Sequence, residues 1–215
     1  MIHLEPPDEL AMPLGEAMFT QRAIRRLDPD RPITDETLKL VLDAASKAPN
    51  GANVQPARFL VVRDRTRIEA FGRLYYEAWW AKRADAYGWT PGQEIPDDSP
   101  YRMPAHLASE MVNAPAVVLV FSPGPPELVA GSVFPAVQNL MLAARALGVG
   151  SVLTSLHPVV IDRLHTMFNV PDDMGFHACV PLGYPLGNFG PTRRWDSGDT
   201  AFIDEWDTRP PWSAR

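Results

Sequence analysis

The sequence predicts one α+β domain over residues 1–215. Helical and strand patterns alternate along the chain, but the strands are few and their spacing is irregular. No internal repeat, low-complexity segment or clear linker divides the chain. At this length a folded chain removes about 70% of its unfolded surface from water, so it can bury a large core.

Two helices are expected at the start of the chain. The first covers residues 9–23 and ends near a group of arginines. The second lies in ITDETLKLVLDAASKAP, which has an apolar stripe at three- and four-residue spacing and either Thr34 or Asp35 as its N-cap. Pro49 ends this helix because proline cannot continue the helical hydrogen-bond pattern.

The later elements follow from apolar runs and from clusters of proline and glycine. AVVLVF is continuously apolar and is therefore expected to be a central strand, covered on both faces. In chain order the sequence predicts a strand over 58–64, a helix over 66–86, a loop over 87–104, a helix over 104–112, the AVVLVF strand over 116–121, a helix over 131–147 closed by Gly148, a strand or extended turn over 150–155, a helix over 159–168 and a strand over 176–184.

Composition excludes several classes of protein. The net charge of −6 argues against general nucleic-acid binding, which needs a basic surface. The only cysteine, Cys179, cannot form an intramolecular disulfide and fits a reducing compartment. The start of the chain, MIHLEPPDELAMP, is acidic and proline-rich, unlike a signal peptide, and no apolar run approaches the ~18 residues of a membrane helix. We therefore expect a cytoplasmic protein that binds neither nucleic acid nor membrane.

The usual catalytic motifs are absent from the sequence. There is no G-x-G-x-x-G before a helix, no Walker loop and no G-x-S-x-G elbow. The five histidines lack the spacing of metal ligands, so no metal site is predicted. Any redox chemistry is therefore expected to come from a bound cofactor.

Arginines are concentrated in TQRAIRRLDPDRP, residues 20–32, although the chain is acidic. Arg22, Arg25 and Arg26 are three and four residues apart, so a helix would place them on one face. Two interpretations are open at this point. The group is either a solvated helix end, where cations complement the helix dipole, or an anion site, where guanidinium groups bind phosphate oxygens in pairs.

Two further segments bear on this choice. APNGANVQPARF, residues 48–59, is a loop of small and amide residues, and NFGPTRRW, residues 188–195, contributes Arg193 and Arg194. Arginines from the two ends of the chain can converge on one phosphate, while the amide loop can approach a planar polar ring. This combination predicts a phosphorylated, flat cofactor with hydrogen-bonding edges.

Four motifs in this order resemble the FMN-dependent nitroreductase family. They are the basic segment QRAIRRL, the loop APNGANVQP, the apolar segment QNLMLAARALGVGSVLTS, and the tail PLGYP followed by FGPTRR. The resemblance covers about residues 17–195. It implies a nitroreductase-like FMN-binding fold, with a mostly antiparallel central sheet flanked by helices, and a domain-entwined homodimer with shared FMN sites.

The resemblance also implies roles for individual residues. Arg22 would face the FMN phosphate, and Arg25 the pyrimidine edge of the flavin. Thr154 and Ser155 lie in the segment that places a hydrogen-bond donor at flavin N5. The loop after the second helix reaches the flavin of the other subunit, and the arginines of the tail close on the phosphate. The implied cofactor-binding set is Arg22, Ala23, Arg25, Pro49, Asn50, Gly51, Asn53, Gln138, Thr154, Ser155, Arg193 and Arg194.

Two residues depart from the family pattern. Gln21 stands where many members have an arginine, and Ala23 stands where a serine is common. The phosphate would then depend on Arg22 and the two tail arginines, with one hydroxyl hydrogen bond fewer.

Residues 70–110 correspond to the variable region that covers the flavin in the family. Its aromatic rings would form a lid that favours flat, apolar or nitroaromatic acceptors, although about half of them are expected to face the helix core instead. Residues 187–215 are expected to form an irregular C-terminal arm that packs on another subunit. The residues assigned to the lid are Tyr76, Trp79, Trp80, Trp89 and Tyr101.

The resemblance therefore predicts an FMN-dependent oxidoreductase that uses NADH or NADPH to reduce nitroaromatic, quinone or similar flat acceptors in two stages. Two alternatives stay open: a non-catalytic FMN-binding or flavin-storage protein, and a family member that fragments its own reduced flavin. A dehalogenating branch ranks below these, because no E-x-x-x-Y occurs in residues 66–110.

Overall fold

A four-stranded antiparallel sheet forms the centre of the computed structural model, which describes residues 5–213. The predicted α+β architecture with an antiparallel sheet is confirmed, and the final two residues of the predicted C-terminal arm lie outside the described residues. The strands are β1 (Arg58–Val62), β2 (Ala116–Pro123), β3 (Gly150–Ser151) and β4 (Met174–Gly183), in the spatial order β1-β2-β4-β3.

The central strand β2 separates two hydrophobic cores. Its side chains alternate between the two faces, and both faces are buried as its continuous apolar run predicts. Val117 and Leu119 belong to one core, which is completed mainly by helices. Val118 and Val120 belong to the other core, on the opposite face of the sheet.

Residues 5–213 contain seven α-helices, five of which cover this sheet. Helices α2 and α5 fill the core that contains Val118, whereas α3, α4 and α6 fill the core that contains Val117. The helices are α1 (Leu14–Thr20), α2 (Asp35–Ser46), α3 (Arg65–Tyr87), α4 (Arg102–Glu110), α5 (Pro126–Ala146), α6 (Ile161–Phe168) and α7 (Ser197–Thr200).

The predicted opening helix over 9–23 is wrong at both ends, because α1 covers only Leu14–Thr20. Helix α1 ends at Thr20, and Gln21 already has extended backbone angles (φ −65°, ψ 120°). The chain then runs beside β3, where the Ile24 N–H donates to the Ser151 carbonyl oxygen at 3.0 Å. The arginines therefore lie on an extended segment, residues 21–27, and not on one helix face, because a sheet edge offers this backbone an alternative set of partners.

The predicted helices α2 and α3 are confirmed, and α3 lies within one residue of its expected bounds, 66–86, at each end. Thr34 caps α2, since its hydroxyl oxygen accepts a hydrogen bond from the Thr37 N–H at 3.2 Å. Asp64 caps α3 in the same way through the Arg67 N–H at 2.9 Å. Helix α3 ends at Tyr87. The next residue, Gly88, is its C-cap and has a φ of +67°, in the left-handed region.

Helix α5 is longer than predicted, because it begins at Pro126 and not at residue 131. Proline is favoured in the first turn, where its missing N–H leaves no hydrogen bond unmade. The helix has 21 residues and is apolar enough, by length and composition, to cross a membrane. The expectation that no segment reaches this length was wrong. One face of α5 nevertheless packs on α2 and on the sheet. Helices in the core of a folded protein can have the same length and apolar composition.

The segment over 150–155 is only partly a strand. Gly150 and Ser151 form β3, and the chain then leaves the sheet edge. Thr154 returns to β4 and exchanges two backbone hydrogen bonds with Cys179, at 3.0 and 2.8 Å. These bonds hold the residues that follow β3 against the C-terminal strand.

Candidate functional site

The segment after β3 meets helix α3 at two neighbouring residues. The hydroxyl oxygen of Thr154 lies 2.8 Å from the phenol oxygen of Tyr75. The Lys82 ammonium donates to the hydroxyl oxygen of Ser155 at 2.7 Å and to its carbonyl oxygen at 2.9 Å. Both residues assigned to the flavin N5 region are therefore held from the same helix.

Arg22 and Arg25 lie beside this segment without an anionic partner. The Ile24 N–H, between them, is bonded to Ser151, three residues before Thr154. Neither guanidinium makes a hydrogen bond or an ion pair with any residue in the range 5–213. Burial lowers the pKa of Arg25, and the Arg22 cation lowers it further, while Tyr75 acts in the opposite direction. Two unpaired guanidinium groups close together form a site suited to an anion.

The C-terminal tail joins the arginine segment from the other end of the chain. The Thr192 N–H donates to the Phe19 carbonyl oxygen at 3.2 Å. The Arg145 guanidinium stacks on Phe189, 4.3 Å from the ring centre, and donates to the Thr20 hydroxyl at 2.8 Å. These contacts bring residues 188–192 to the end of α1.

The two tail arginines continue from this anchor with exposed side chains. Arg193 and Arg194 directly follow Thr192, and the Arg194 guanidinium donates to the carbonyl oxygen of Arg193 at 2.7 Å. This contact is local to the tail. The structure therefore brings the backbone of the tail to the arginine segment, whereas no ion pair fixes either tail guanidinium within the described part of the chain.

The amide loop lies on the other side of the sheet. Gly51 donates its N–H to the Ser132 hydroxyl of α5 at 3.1 Å, and the Asn50 side-chain oxygen accepts from the Gln55 N–H at 2.8 Å. Three residues of this loop have positive φ values: Ala52 (47°), Asn53 (55°) and Gln55 (49°). Residues other than glycine rarely adopt this left-handed region.

This position separates the loop from the N5 segment within one protomer. Helix α5 covers one face of the sheet, and α3, which holds Thr154 and Ser155, covers the other. Pro49 and Gln138 are both exposed on the α5 side. One protomer therefore does not bring the loop together with Thr154.

The lid assignment of two tryptophans was wrong. Trp79 and Trp80 are 6% and 4% exposed and pack in the core formed by α3, α4 and α6. From Phe71 to Trp80 only Arg73 and Glu77 are charged, so periodicity alone did not show which rings of this part of α3 face inward. Tyr76, Trp89 and Tyr101 are partly buried against the same core.

Contacts between aromatic side chains, and one arginine stacked on them, hold the loop that follows α3. Tyr87 and Tyr101 share a hydrogen bond of 2.7 Å, and the Trp89 ring lies 5.5 Å from the Tyr101 ring. The Arg83 guanidinium lies 4.5 Å from the centre of the Tyr101 ring. The loop therefore folds back on its own helix.

Three residues at the site were missed by sequence reasoning. Tyr75, Lys82 and Arg83 approach the N5 segment or the loop that follows α3, but none of them matches a motif. The only available signal was a basic pair directly after the aromatic part of α3. Nothing in the sequence showed that Tyr75 and Lys82 meet residues more than 70 positions later.

The sequence profile of the nitroreductase family matches residues 19–184, which include both the arginine segment and the N5 segment. The chain belongs to the nitroreductase family. A provisionally named NADH dehydrogenase/NAD(P)H nitroreductase from Archaeoglobus fulgidus is 31% identical over 175 residues, covering 78% of this chain and 83% of the relative. A relative with the same provisional name from Methanothermobacter thermautotrophicus is 28% identical over 201 residues, covering 91% and 88%.

A solved structure supports the same relationship. A provisionally named nitroreductase from Desulfovibrio desulfuricans, determined in complex with FMN, is 28% identical and has a TM-score of 0.58. The comparison covers 86% of this chain and 93% of that one. The fold is therefore nitroreductase-like, and the protein is an oxidoreductase of this family.

Proposed function

We propose that this chain is an FMN-dependent oxidoreductase that uses NADH or NADPH to reduce nitroaromatic, quinone or similar flat acceptors. Bound FMN would supply the redox chemistry by taking a hydride from the nicotinamide and passing electrons to the acceptor. The single observation that carries the proposal is the pair of unpartnered guanidinium groups, Arg22 and Arg25, beside the Thr154 segment.

The residues of the site fit an FMN molecule in charge and in hydrogen bonding. Arg22, which is exposed, is suited to the phosphate, and Arg25, which is half-buried, is suited to the pyrimidine edge. The backbone of the tail is anchored at Thr192, and Arg193 and Arg194, which follow it, would reach the same phosphate. Together these residues would supply the positive charge that a phosphate dianion needs.

Thr154 and Ser155 would orient the isoalloxazine ring. The backbone of Thr154 is already committed to Cys179, so its position relative to β4 is fixed. The hydroxyl groups of Thr154 and Ser155 are held by Tyr75 and Lys82. A pre-positioned segment of this kind spares the reaction the cost of ordering its hydrogen-bonding groups when the ligand binds.

We further propose a homodimer with shared FMN sites. Helix α5 leaves large apolar side chains uncovered, among them Leu128 and Phe134, which are 76% and 40% exposed. The neighbouring helix α1 does the same with Phe19, which is 73% exposed. Pairing of these faces would remove the apolar surface from water and would let the Asn50 loop of each protomer reach the flavin of the other. The tryptophans of the arm, Trp195 and Trp206, would pack on the partner.

The absorbance spectrum of the purified protein tests the proposal. We expect a yellow protein that binds FMN and bleaches under anaerobic conditions when NADH or NADPH is added. Return of the colour on addition of a nitroaromatic or quinone completes the expected two-stage cycle. A colourless protein that does not take up added FMN would contradict the proposal.

The same experiment separates the two alternatives. A flavin-storage protein stays yellow in the presence of both reductants. A protein that fragments its own flavin loses the colour permanently on aerobic turnover, and chromatography of the products detects the loss. We also propose a cytoplasmic location, since a pyridine-nucleotide-dependent reaction and an unpaired buried thiol, Cys179, both fit a reducing compartment.

A further inference from the structure

Lys82 lies beside the proposed flavin site. The proposed function explains its hydrogen bonds to Ser155 but gives no role to its positive charge. Its two hydrogen bonds go to the hydroxyl and carbonyl oxygens of Ser155, which are both neutral acceptors. A lysine ammonium has three donors, so one N–H remains after these two bonds. No carboxylate in residues 5–213 forms an ion pair with Lys82.

The acidic side chains of α3 are already engaged elsewhere. Each of the three contacts a basic side chain other than Lys82. Asp85, which is the nearest of them to Lys82 in the sequence, contacts His157 in the segment that follows Ser155. The pairs are Glu69 with Arg65 at 3.2 Å, Glu77 with Arg163 at 2.9 Å and Asp85 with His157 at 2.9 Å.

Arg83 adds a second cation that has no acidic partner. Its guanidinium carbon lies 4.8 Å from the Trp79 ring centre and 4.5 Å from the Tyr101 ring centre. Its Nε atom is buried and has no hydrogen-bond partner among the residues described. Arg83 therefore adds a second positive charge close enough to act on Lys82, and it forms no ion pair within the described residues.

An unneutralised cation in a half-buried position is unfavourable until an anion arrives. Burial lowers the pKa of Lys82, Cys179 acts in the opposite direction, and the neighbouring Arg83 charge adds a smaller lowering. Holding the hydroxyl of Ser155 requires only a neutral donor. The retained charge therefore indicates a ligand that is negatively charged.

We propose that Lys82, supported by Arg83, binds an oxyanion, a carboxylate or a phosphate, of a substrate that lies on the flavin face. The inference rests on the proposed function, because it takes Thr154 and Ser155 as the flavin N5 region. Two substrates of a two-stage reaction can present such a group: an acceptor with a carboxylate, or the nicotinamide donor with its pyrophosphate. The chemistry recognised is the same in both cases, and the experiment distinguishes them.

The test uses pairs of substrates of which one member carries an oxyanion and the other does not. The FMN-loaded protein is assayed with 4-nitrobenzoate and with 4-nitrobenzyl alcohol as acceptors, and with NADH and with phosphate-free N-benzyl-1,4-dihydronicotinamide as donors. Acceptors are compared with the phosphate-free donor, so that the acceptor carboxylate is the only oxyanion in that comparison. We expect Lys82→Gln to lower kcat/KM about tenfold for the charged member of one pair and to leave its neutral member within about twofold.

Two further variants control for structure and for net charge. Lys82→Arg keeps the cation and is expected to retain discrimination between the charged and neutral substrates. Lys39→Gln removes the same charge from α2, on the other face of the sheet, and is expected to change neither pair. In the unmodified protein, kcat/KM for the charged member is expected to fall with ionic strength while that for the neutral member does not. This measurement does not depend on the folding of any variant.

The outcomes separate this inference from the proposed function. A loss confined to 4-nitrobenzoate identifies the acceptor as the source of the oxyanion, and a loss confined to NADH identifies the donor. Equal losses for charged and neutral members, with no effect of ionic strength on the unmodified protein, would overturn the anion site and leave Lys82 as an anchor for Ser155. A protein that binds no FMN, or whose FMN no donor reduces, would instead overturn the proposed function.

Discussion

The phenol oxygen of Tyr75 lies 2.8 Å from the hydroxyl oxygen of Thr154, although the two residues are 79 positions apart in the sequence. Tyr75 is 2% exposed, so the hydrogen bond is shielded from water. Burial raises the pKa of Tyr75, and the phenol therefore stays protonated and able to donate. This bond ties helix α3 to the segment in which the flavin N5 donor is proposed.

Removal of this phenol hydroxyl tests its contribution to stability. Tyr75→Phe should lower the free energy of unfolding by about 1–2 kcal/mol, because the Thr154 hydroxyl loses a buried partner. Urea denaturation measures the change. Tyr76→Phe is the matched control, since the Tyr76 hydroxyl makes no hydrogen bond in the described structure, and it should change stability by no more than about 0.5 kcal/mol. Equal effects of the two substitutions would contradict a role for the Tyr75–Thr154 bond.

The arginines at the two ends of the chain should hold the cofactor jointly. Arg22→Ala combined with Arg194→Ala should yield a folded but colourless protein, because the phosphate loses two charge-assisted contacts. The FMN content of the purified protein and its circular dichroism spectrum measure the two properties. Arg65→Ala combined with Arg73→Ala removes the same charge from exposed positions of α3 and should retain the colour. Stoichiometric FMN in the first variant would show that the phosphate assignment is wrong.

His177 should make the protein less stable in mild acid. Its Nε2 lies 2.7 Å from the Ser122 hydroxyl oxygen between β2 and β4, and burial lowers its pKa. The unfolded chain then binds a proton more readily than the folded protein, so the free energy of unfolding should fall as the pH drops below about 6.5. Chemical denaturation between pH 5 and pH 8 measures the slope.

Substitution of His177 identifies the origin of this slope. His177→Gln should flatten the pH dependence, whereas His106→Gln, at an exposed position, should leave it unchanged. A slope that survives in His177→Gln would assign the acid sensitivity to other groups.

Gly72 should not tolerate a side chain. A Cβ atom there would lie 2.4 Å from the backbone nitrogen of Val112, because α3 closely approaches the 3₁₀ turn Met111–Asn113. Gly72→Ala should therefore destabilise the protein by about 1–3 kcal/mol, despite the higher helix propensity of alanine. Thermal or urea unfolding measures this loss. Gly15→Ala, where nothing lies within 4 Å of the added atom, should cause no loss.

The exposed face of α5 should mediate self-association. Phe134→Asp should convert a dimer into a monomer and lower its FMN content, because the partner's amide loop no longer reaches the flavin. Sedimentation velocity measures the assembly. Val159→Asp introduces the same charge at a residue that is 57% exposed and lies near the start of α6, and it should not affect the assembly. A monomeric unmodified protein that binds FMN fully would contradict the shared site.

Several features were predictable because their causes are local. The start of α2 followed from two adjacent capping residues, of which the structure uses Thr34, and the burial of β2 on both faces followed from an uninterrupted apolar run. The four ordered motifs were enough to predict the nitroreductase family, and the match over residues 19–184 confirms it.

Other features depended on partners that are distant in the sequence. Helix α1 ends at Thr20 because the following residues find hydrogen bonds on Ser151, which lies beyond the reach of any local pattern. Trp79 and Trp80 are core residues because α4 and α6 cover that side of α3. The periodicity of one helix does not show which of its faces is buried by elements that lie elsewhere in the sequence.

The sequence by itself determined the family, the positions of most elements and the identity of the basic segments. Only the tertiary structure decided which side chains meet the segment after β3, namely Tyr75 and Lys82, which reach Thr154 and Ser155 across 79 and 73 positions. The reason is physical. Propensity, capping and periodicity act over a few residues, whereas the charge and hydrogen bonding of a site depend on which helix face the sheet packing turns toward it.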